Sequence, residues 1–221
     1  MTRPDRTERP SARRRGHPLF ARYYARLGPV MEQRLAAHRS ALLADLSGRV
    51  IEIGAGAGAN FSHYPAEVTG VLAVEPEAHL RSLARNAAER APVSIEVVDG
   101  FADRLPAEDE TCDAAVACLV LCTVPDPAAA LAEVFRVLRP GGRLYFFEHV
   151  RADTSRRRRL QQAADATLWP LFAGGCHVTR DTDTAITDAG FTVTRLDRLS
   201  HADTGLPFLA DPQIIGTATR P

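Results

Sequence analysis

Three glycines alternate with single residues directly after a short apolar stretch, at Gly54, Gly56 and Gly58. Because glycine has no Cβ and tolerates positive φ, a backbone of this composition can bend sharply and press against a ligand. Parallel strands hold nucleotide-type cofactors in this way at their carboxyl ends. Gly54, Gly56 and Ala59 also satisfy the dinucleotide pattern G-x-G-x-x-A. The glycines alone therefore leave both NAD and S-adenosylmethionine open.

Acidic residues around the glycines favour S-adenosylmethionine. Glu52 lies in the apolar stretch, two residues before Gly54, where it could hold a cationic amino group. S-adenosylmethionine has such a group and NAD does not. Glu75 follows the next apolar stretch and could accept hydrogen bonds from ribose hydroxyls, which suits either cofactor. Asp99 follows the third stretch and could accept from an adenine amino group, while Phe101 covers the ring.

In their order along the chain, these features resemble class I S-adenosylmethionine-dependent methyltransferases. The resemblance rests on Glu52 with the glycine turn, on Glu75, on Asp99-Gly100 and on Leu138-Arg139-Pro140-Gly141-Gly142. It implies S-adenosylmethionine as the cofactor, which becomes S-adenosylhomocysteine on methyl transfer. The cofactor-binding residues that it implies are Glu52, Gly54, Ala55, Gly56, Gly58, Asn60, Glu75, Pro76, Asp99, Gly100, Phe101, Cys118 and Leu119.

Four further segments are similar to the thiol methyltransferase-like family. They are Gly58-Ala59-Asn60-Phe61 with Tyr64-Pro65, then LVLCTV at 119–124, FFEHV at 146–150 and GCHVTR at 175–180. Members of that family in animals are membrane-anchored enzymes that methylate small thiols, so the resemblance implies a small thiol as methyl acceptor. The N-terminal residues of this sequence contain no apolar anchor, so we do not expect membrane attachment.

Two other functions fit the same fold. One is methylation of oxygen or nitrogen, in a natural-product hydroxyl or amine or in a lipid headgroup amine. The other is binding of S-adenosylmethionine without catalysis. A thiol acceptor needs the least help from the protein, because a thiol with a pKa of about 8.5 is already partly thiolate at neutral pH.

His149 is the candidate general base. It follows an apolar stretch that we expect to be a strand, and an imidazole with a pKa of about 6.5 suits proton removal near neutral pH. Glu148 could orient the His149 ring or accept from backbone donors, and His149 could instead be a hydrogen-bonded structural residue. The residues expected to line the acceptor pocket are Tyr23, Tyr24, Leu121, His149, Trp169, Cys176 and His177.

The cysteine spacing predicts no metal site. The chain has four cysteines, and no pair has the two-residue gap of a zinc or redox motif. Cys112, Cys118 and Cys122 lie in or beside an apolar stretch, where a free cysteine behaves as a small hydrophobic residue. Cys176, His177 and His149 also lack the spacing of metal ligands.

The composition is that of a globular protein with no global attraction to nucleic acid. The chain has 221 residues, with 27 Lys and Arg against 27 Asp and Glu. Because the formal net charge is zero, we expect a small-molecule partner and no nucleic acid. The sequence has neither an apolar run long enough to span a bilayer nor a secretory signal. We therefore expect a cytoplasmic monomer or homodimer.

Strands alternate with helices from Arg49 onwards. Predicted strands cover 50–53, 71–74, 93–98, 112–119, 143–147, 191–195 and 214–218, with a tight turn at 140–142. Predicted helices cover 77–90, 126–138, 153–172 and 181–189. In the second of these helices, we expect Asp126 to be the N-cap and Pro127 to occupy the first helical position. The expected fold is α/β, a doubly wound Rossmann-like sheet of seven mostly parallel strands with an antiparallel strand near the C-terminus. We expect a disordered basic tail at 1–15, an N-terminal helical cap at 16–46 and the methyltransferase domain at 47–221.

Overall fold

One sheet of seven strands organises the part of the chain that the computed structural model describes, residues 33–167 and 169–221. The strands are β1 (Gly48–Ile53), β2 (Val68–Val74), β3 (Ile95–Val98), β4 (Cys112–Cys118), β5 (Leu138–His149), β6 (Thr192–Leu199) and β7 (Gln213–Thr219). They are ordered β3-β2-β1-β4-β5-β7-β6 across the sheet. The seven strands and the parallel core confirm the predicted fold class.

The strand order reverses between β1 and β4, which pair in parallel at the centre of the sheet. Ile53 ends β1 beside Val74 at the end of β2 and Ala117 in β4. Ligands of open α/β sheets bind outside the carboxyl ends of the strands at such a reversal. The fold therefore puts the segments that follow β1 and β4 side by side.

Helices cover both faces of the sheet. They are α1 (33–43), α2 (Ala78–Ala88), α3 (Pro127–Val137), α4 (Ser155–Asp165), α5 (Trp169–Phe172), α6 (Thr182–Asp188) and α7 (His201–Thr204). Buried residues of α3 and α6, such as Leu131 and Ile186, share one hydrophobic core with Ile51 of β1. Residues of α1 and α2, such as Leu35 and Ala84, share the other core with Val50. Adjacent residues of β1 thus face opposite layers, as strand geometry requires.

The predicted cap of α3 is confirmed. The Asp126 side chain accepts a hydrogen bond from the Ala129 N–H at 3.0 Å, and Pro127 occupies the first turn. Aspartate is a preferred N-cap, and proline costs nothing there because its missing N–H would have no partner within the helix. The start of α3 is set by local chemistry and is therefore readable from the sequence.

The structure corrects three element boundaries. The predicted turn at 140–142 lies inside β5, because the Gly141 N–H donates to the Arg220 carbonyl and the Arg220 N–H donates to the Gly142 carbonyl. The predicted helix over 153–172 is two helices, α4 and α5, separated by a turn at 166–167. β6 continues to Leu199 because it pairs with β7 along its length. β7 is antiparallel to both β5 and β6, which confirms the expected antiparallel strand.

The expected tail at 1–15 and the first part of the cap, with Tyr23 and Tyr24, lie outside the described residues. Helix α1 lies within residues 16–46, where the helical cap is predicted. Among residues 33–167 and 169–221, no helix combines the length and the apolar character that crossing a membrane requires.

Candidate functional site

The glycine turn after β1 adopts the left-handed backbone that its composition predicts. The φ angles are +63° at Gly54, +57° at Gly56 and +88° at Gly58. A Cβ on Gly54 would lie 2.3 Å from Cγ2 of Val120, and one on Gly58 would lie 2.7 Å from the Phe61 ring. Glycine is therefore required at Gly54 by its backbone and also by the segment after β4, which packs directly against it.

Glu75, at the end of β2, holds the glycine turn. Its carboxylate accepts from the Gly56 N–H and from the Glu77 N–H, each at 2.8 Å. The side chain is buried, and this burial raises the pKa of the Glu75 carboxyl. A carboxylate oxygen can accept more than one hydrogen bond. Glu75 can therefore support the turn and also accept from a ribose hydroxyl, as predicted.

Glu52 lies beneath the turn in a buried polar cluster. Its carboxylate accepts from Asn60 Nδ2 at 2.8 Å and from the Tyr64 hydroxyl at 2.5 Å. Asn60 Oδ1 in turn accepts from Arg39 of α1 at 2.6 Å. Burial raises the pKa of Glu52 to about 7, although the hydrogen bonds from Tyr64 and Asn60 oppose the shift. A nearby cation would stabilise the ionised carboxylate, which fits the predicted amino-group site.

Asp99, which follows β3, is the most exposed of the predicted acids. Its side chain is 67% exposed and pairs with Arg81 at 3.1 Å. Arg81 also donates to the carbonyls of Glu75 and Pro76, so it ties the ends of β2 and β3 together. A Cβ on Gly100 would lie 2.8 Å from Cγ1 of Val74, which explains the glycine.

These residues fit S-adenosylmethionine. Glu52, the three glycines and Glu75 lie at the carboxyl ends of β1 and β2, and Asp99 follows the neighbouring β3. The row of acids runs across adjacent strands in the order that an amino acid, a ribose and an adenine would follow in the cofactor. The buried carboxylate of Glu52 favours a cation near the first position.

The segment after β4 is shaped by Leu119 and Glu148. Leu119 has a left-handed φ of +58°, and its N–H donates to the Phe147 carbonyl at 2.7 Å. The fully buried Glu148 carboxylate accepts from the N–H groups of Val120, Leu121 and Cys122 at 2.9, 2.8 and 3.1 Å. Burial raises the pKa of Glu148 well above its ordinary value. These contacts make Glu148 a support for the segment, and its catalytic role stays a prediction.

His149, the last residue of β5, lies against two cysteines. Its Nδ1 is 3.6 Å from Sγ of Cys122 and 3.4 Å from Sγ of Cys176. Both thiols are buried. Burial lowers the pKa of His149, but the hydrogen bond with Cys122 and the charges of Cys122 and Glu148 outweigh burial and raise it overall. The hydrogen bond with Cys176 and burial together raise the pKa of Cys122.

The loop before α6 is joined to the segment after β4 through the backbone. The His177 N–H donates to the Cys122 carbonyl at 2.8 Å. Arg180 donates to the Leu121 carbonyl and, at 2.5 Å, to the Val124 carbonyl. Asp165 at the end of α4 accepts from the Val178 and Thr179 N–H groups, each at 3.0 Å. These bonds hold Cys176 next to Cys122.

The predicted pocket residues take different places around this cluster. Trp169 packs against the buried cluster of Cys122, Cys176, Val178 and Ala210. The Leu121 side chain is fully buried in the main core, so the residue faces the site only through its backbone. The His177 side chain is 42% exposed, with Nδ1 3.9 Å from Asp165. The assignment of these residues to an acceptor pocket stays a prediction.

Sequence reasoning missed several contributors to the site. They are Arg39, Tyr64, Arg81, Cys122 and Arg180. Each acts through a partner in another segment of the fold, and linear spacing does not reveal these contacts. Only Tyr64 and the segments containing Cys122 and Arg180 had a signal, namely their place in the family-like motifs.

Comparison with known proteins identifies a methyltransferase family. The model of a family described as "Methyltransferase domain" matches residues 51–146. The human thiol S-methyltransferase TMT1A is 32% identical over 213 residues, which cover 91% of this chain and 86% of that protein.

Solved structures share the fold. A Thermotoga maritima SAM-dependent methyltransferase, described as a possible histamine N-methyltransferase, has a TM-score of 0.65 at 22% identity and covers 92% of this chain and 99% of its own. A geranyl diphosphate methyltransferase in complex with SAM has a TM-score of 0.67 at 16% identity, over 84% of this chain and 85% of its own. The chain therefore belongs to the class I S-adenosylmethionine-dependent methyltransferases, close to the thiol S-methyltransferases.

Proposed function

We propose that this methyltransferase acts on the sulfur of a small thiol. The observation that carries the proposal is the cluster of His149, Cys122 and Cys176 at the carboxyl ends of β4 and β5. It is joined to the cofactor side through Val120, which packs on Gly54. The likeness to TMT1A, which is named a thiol S-methyltransferase, supports the same acceptor class.

The role of the cofactor-binding residues is to orient S-adenosylmethionine. S-adenosylmethionine supplies a methyl group on a positively charged sulfur, and the chemistry of the transfer is its own. Glu52 and the glycine turn would hold the amino acid end, Glu75 the ribose, and Asp99 with Phe101 the adenine. Fixing both reactants in one geometry is worth up to about 7–11 kcal/mol of the barrier in favourable cases.

The acceptor side is largely apolar and holds few charges. Trp169 and Val178 pack around the two cysteines, and Glu148 and Arg180 have their polar groups directed at backbone partners. Such surroundings suit a small, partly hydrophobic acceptor whose reactive atom needs little activation. His149 can assist thiolate formation either as a base or by the second route argued in the next subsection.

The experiment is an acceptor panel. Purified protein is incubated with S-adenosylmethionine and with matched alkyl and aryl thiols, amines and phenols, and methylated products are identified by mass spectrometry. We expect S-methyl products well above the no-enzyme control. N- or O-methyl products without S-methyl products would replace the thiol by a natural-product or lipid headgroup acceptor. Cofactor binding with no product from any acceptor would indicate a non-catalytic binding protein.

Gly56→Arg is the matched negative control for the panel. An arginine side chain at a φ of +57° strains the turn and fills the approach to it. We expect S-adenosylmethionine binding and every methyl product to be lost together. The cytoplasmic location and the monomeric or homodimeric state expected from the sequence stay predictions.

A further inference from the structure

Cys122, His149 and Cys176 come from three separate segments and meet at one point. Cys122 follows β4, His149 ends β5 and Cys176 lies between α5 and α6. Their ligand atoms, two Sγ and Nδ1, all lie within 4.8 Å of one another. We propose that these three residues bind a zinc ion, and that the acceptor thiol occupies its open fourth position. The second half of this proposal rests on the proposed thiol methylation.

The distances match tetrahedral coordination. Zinc binds cysteine sulfur at about 2.3 Å and histidine nitrogen at about 2.0–2.1 Å, so a tetrahedral angle separates the sulfur and nitrogen by about 3.5–3.6 Å. The observed separations from Nδ1 are 3.6 Å to Cys122 and 3.4 Å to Cys176. A zinc ion therefore fits between the three atoms with adjustments of a few tenths of an ångström.

Hydrogen bonding alone leaves this cluster poorly satisfied. Nδ1 offers one lone pair or one N–H in the plane of the ring, yet two sulfur atoms face it. Only one thiol can pair well with the ring at any time. A cation between the three atoms would use a lone pair of each, and buried polar groups of native proteins are generally satisfied.

The three ligands are held in place by the protein itself. Glu148 fixes the Cys122 backbone through its N–H, and the His177 N–H fixes the Cys122 carbonyl. Gly174 and Gly175, with φ of +62° and +90°, shape the turn into Cys176. Metal sites depend on such supporting contacts to orient their ligands. The segments therefore present a preformed site and do not need the ion to bring them together.

The ligand charges also suit a dication. Two thiolates would balance the charge of Zn²⁺. Cys₂His is an established ligand set for zinc sites that keep an open position. The ligand set is softer than a carboxylate set, which disfavours Mg²⁺ and Ca²⁺.

An open fourth position would activate the acceptor. The thiol loses its S–H proton to solvent as its sulfur binds the ion, so the thiolate is held at neutral pH. A sulfur lone pair then forms the new carbon–sulfur bond to the methyl group. The bond between the methyl carbon and the cofactor sulfonium breaks, and its electron pair stays on that sulfur. The products are a methyl thioether and S-adenosylhomocysteine, and His149 serves as a ligand and not as the base.

The test begins with the metal and not with activity. Wild-type protein is purified without chelator and its zinc content measured by plasma mass spectrometry, with about one zinc per chain expected. The protein is then stripped, titrated with Co²⁺ and followed by visible absorption. We expect the intense bands of tetrahedral Co²⁺ and a thiolate-to-cobalt charge-transfer band. Added alkyl thiol should shift these bands if it enters the fourth position.

Matched variants locate the site. Cys122→Ala and Cys176→Ala should each lower zinc affinity by more than about 10-fold, because each removes one of three protein ligands and loss of a mere supporting contact already costs about that much. Cys112→Ala is the control, because Cys112 is equally buried but begins β4, at the other end of that strand. It should keep zinc and the cobalt spectrum. Circular dichroism confirms that each variant is folded.

The outcomes separate this proposal from the proposed function. Wild-type protein with no zinc and no tetrahedral cobalt spectrum overturns the metal site, even if S-methyl products form. A two-hydrogen mass loss that links Cys122 to Cys176 in protein purified without reductant, with no metal uptake after reduction, also overturns it. Zinc at this site without S-methyl products would keep the site and remove the thiol acceptor.

Discussion

The Tyr64 hydroxyl donates a hydrogen bond of 2.5 Å to the Glu52 carboxylate, and both side chains are buried. The glycine turn and a short 3₁₀ helix lie between the two residues in the sequence. Tyr64→Phe removes this donor and leaves a buried carboxylate oxygen without it. We expect a loss of about 1–3 kcal/mol in the free energy of unfolding, because an unmade buried hydrogen bond costs the desolvation of the remaining group. Urea unfolding measures this loss.

Tyr145→Phe is the control for this prediction. Tyr145 is also buried, but its hydroxyl makes only a 3.4 Å contact with the Asp45 carbonyl. We expect a smaller loss than in Tyr64→Phe, and weaker S-adenosylmethionine binding only in Tyr64→Phe. Equal losses in both variants would show that the hydrogen bond from Tyr64 to Glu52 stabilises the protein no more than the Tyr145 contact does.

The stability of the protein should fall as the pH rises from 4.5 to 7. Burial raises the pKa of Glu52 from 4.5 to about 7, so in this window the folded state binds a proton that the unfolded state has released. The favourable contribution is complete below pH 4.5 and is lost as the pH passes the folded-state value. The loss is up to about 3 kcal/mol, at about 1.36 kcal/mol per pKa unit.

Glu52→Gln tests this dependence, because an amide does not titrate. The charged and titratable groups around Glu52 are Arg39, Tyr64, Glu75 and Cys118, and all of them remain in the variant. Chemical unfolding at several pH values from 4.5 to 8 gives both curves. The difference between the curves should change across this window. A difference that stays constant would mean that the pKa of Glu52 does not change between the folded and unfolded states within this pH range.

Gly54→Ala should lower the free energy of unfolding by more than the backbone strain of a left-handed alanine alone. The new Cβ would lie 2.3 Å from Cγ2 of Val120, at a φ of +63°. Gly141→Ala is the control, since Gly141 has a φ of +79° and no atom within 4 Å of an added Cβ. The control should cost about 1–2 kcal/mol from the left-handed backbone alone.

The excess loss in Gly54→Ala then measures the contact between the glycine turn and the segment after β4. We expect S-adenosylmethionine binding by calorimetry to be weakened in Gly54→Ala and retained in Gly141→Ala. Equal unfolding free energies and equal binding in the two variants would refute the packing argument.

Glu148→Gln should loosen the segment after β4. The amide keeps the size of the side chain but offers one acceptor oxygen to three N–H groups and turns an NH₂ donor towards them. We expect a loss of about 1–3 kcal/mol in stability and faster hydrogen exchange at Val120, Leu121 and Cys122. Glu110→Gln, which alters the ion pair between the half-exposed Glu110 and Arg220, should change stability by no more than about 1 kcal/mol and should leave the exchange at Val120, Leu121 and Cys122 unchanged.

Kinetics separates the two roles of Glu148. If it positions the segment, the loss of kcat should accompany the faster exchange, and the pH profile of kcat should keep its shape. A loss of kcat with unchanged exchange and an altered pH profile would instead favour direct participation in proton transfer.

The sequence predicted those parts of the fold that depend on local patterns. The cap at Asp126, the glycine turn and the alternation of strands and helices follow from backbone preferences over a few residues, and the structure confirms them. The length of β5 was mispredicted because its first residues pair with Arg220, which is about 80 residues away. Pro140 and the two glycines after it favour a turn, and the sequence alone does not show that a distant segment pairs with them.

The residues of the candidate site also fall into two groups, those that local sequence patterns reveal and those that only the fold brings together. Glu52 and Glu75 were recognisable from their spacing around the glycines, but Tyr64, Arg39 and Arg180 act through partners that only the fold brings near. Cys122 was interpreted as a small hydrophobic residue because its sequence neighbours are apolar. Linear spacing could not reveal that His149 and Cys176 would lie on either side of it.

Leu119 holds a backbone conformation that an L-residue with a large side chain adopts at a cost of about 1–2 kcal/mol. Two physical effects oppose each other at this position. Backbone energy alone favours glycine or asparagine, whereas the leucine side chain packs against the hydrophobic cluster that contains Ala55 of the cofactor turn. A family in which this position drifts to glycine would be expected to gain thermal stability and to lose discrimination among acceptors.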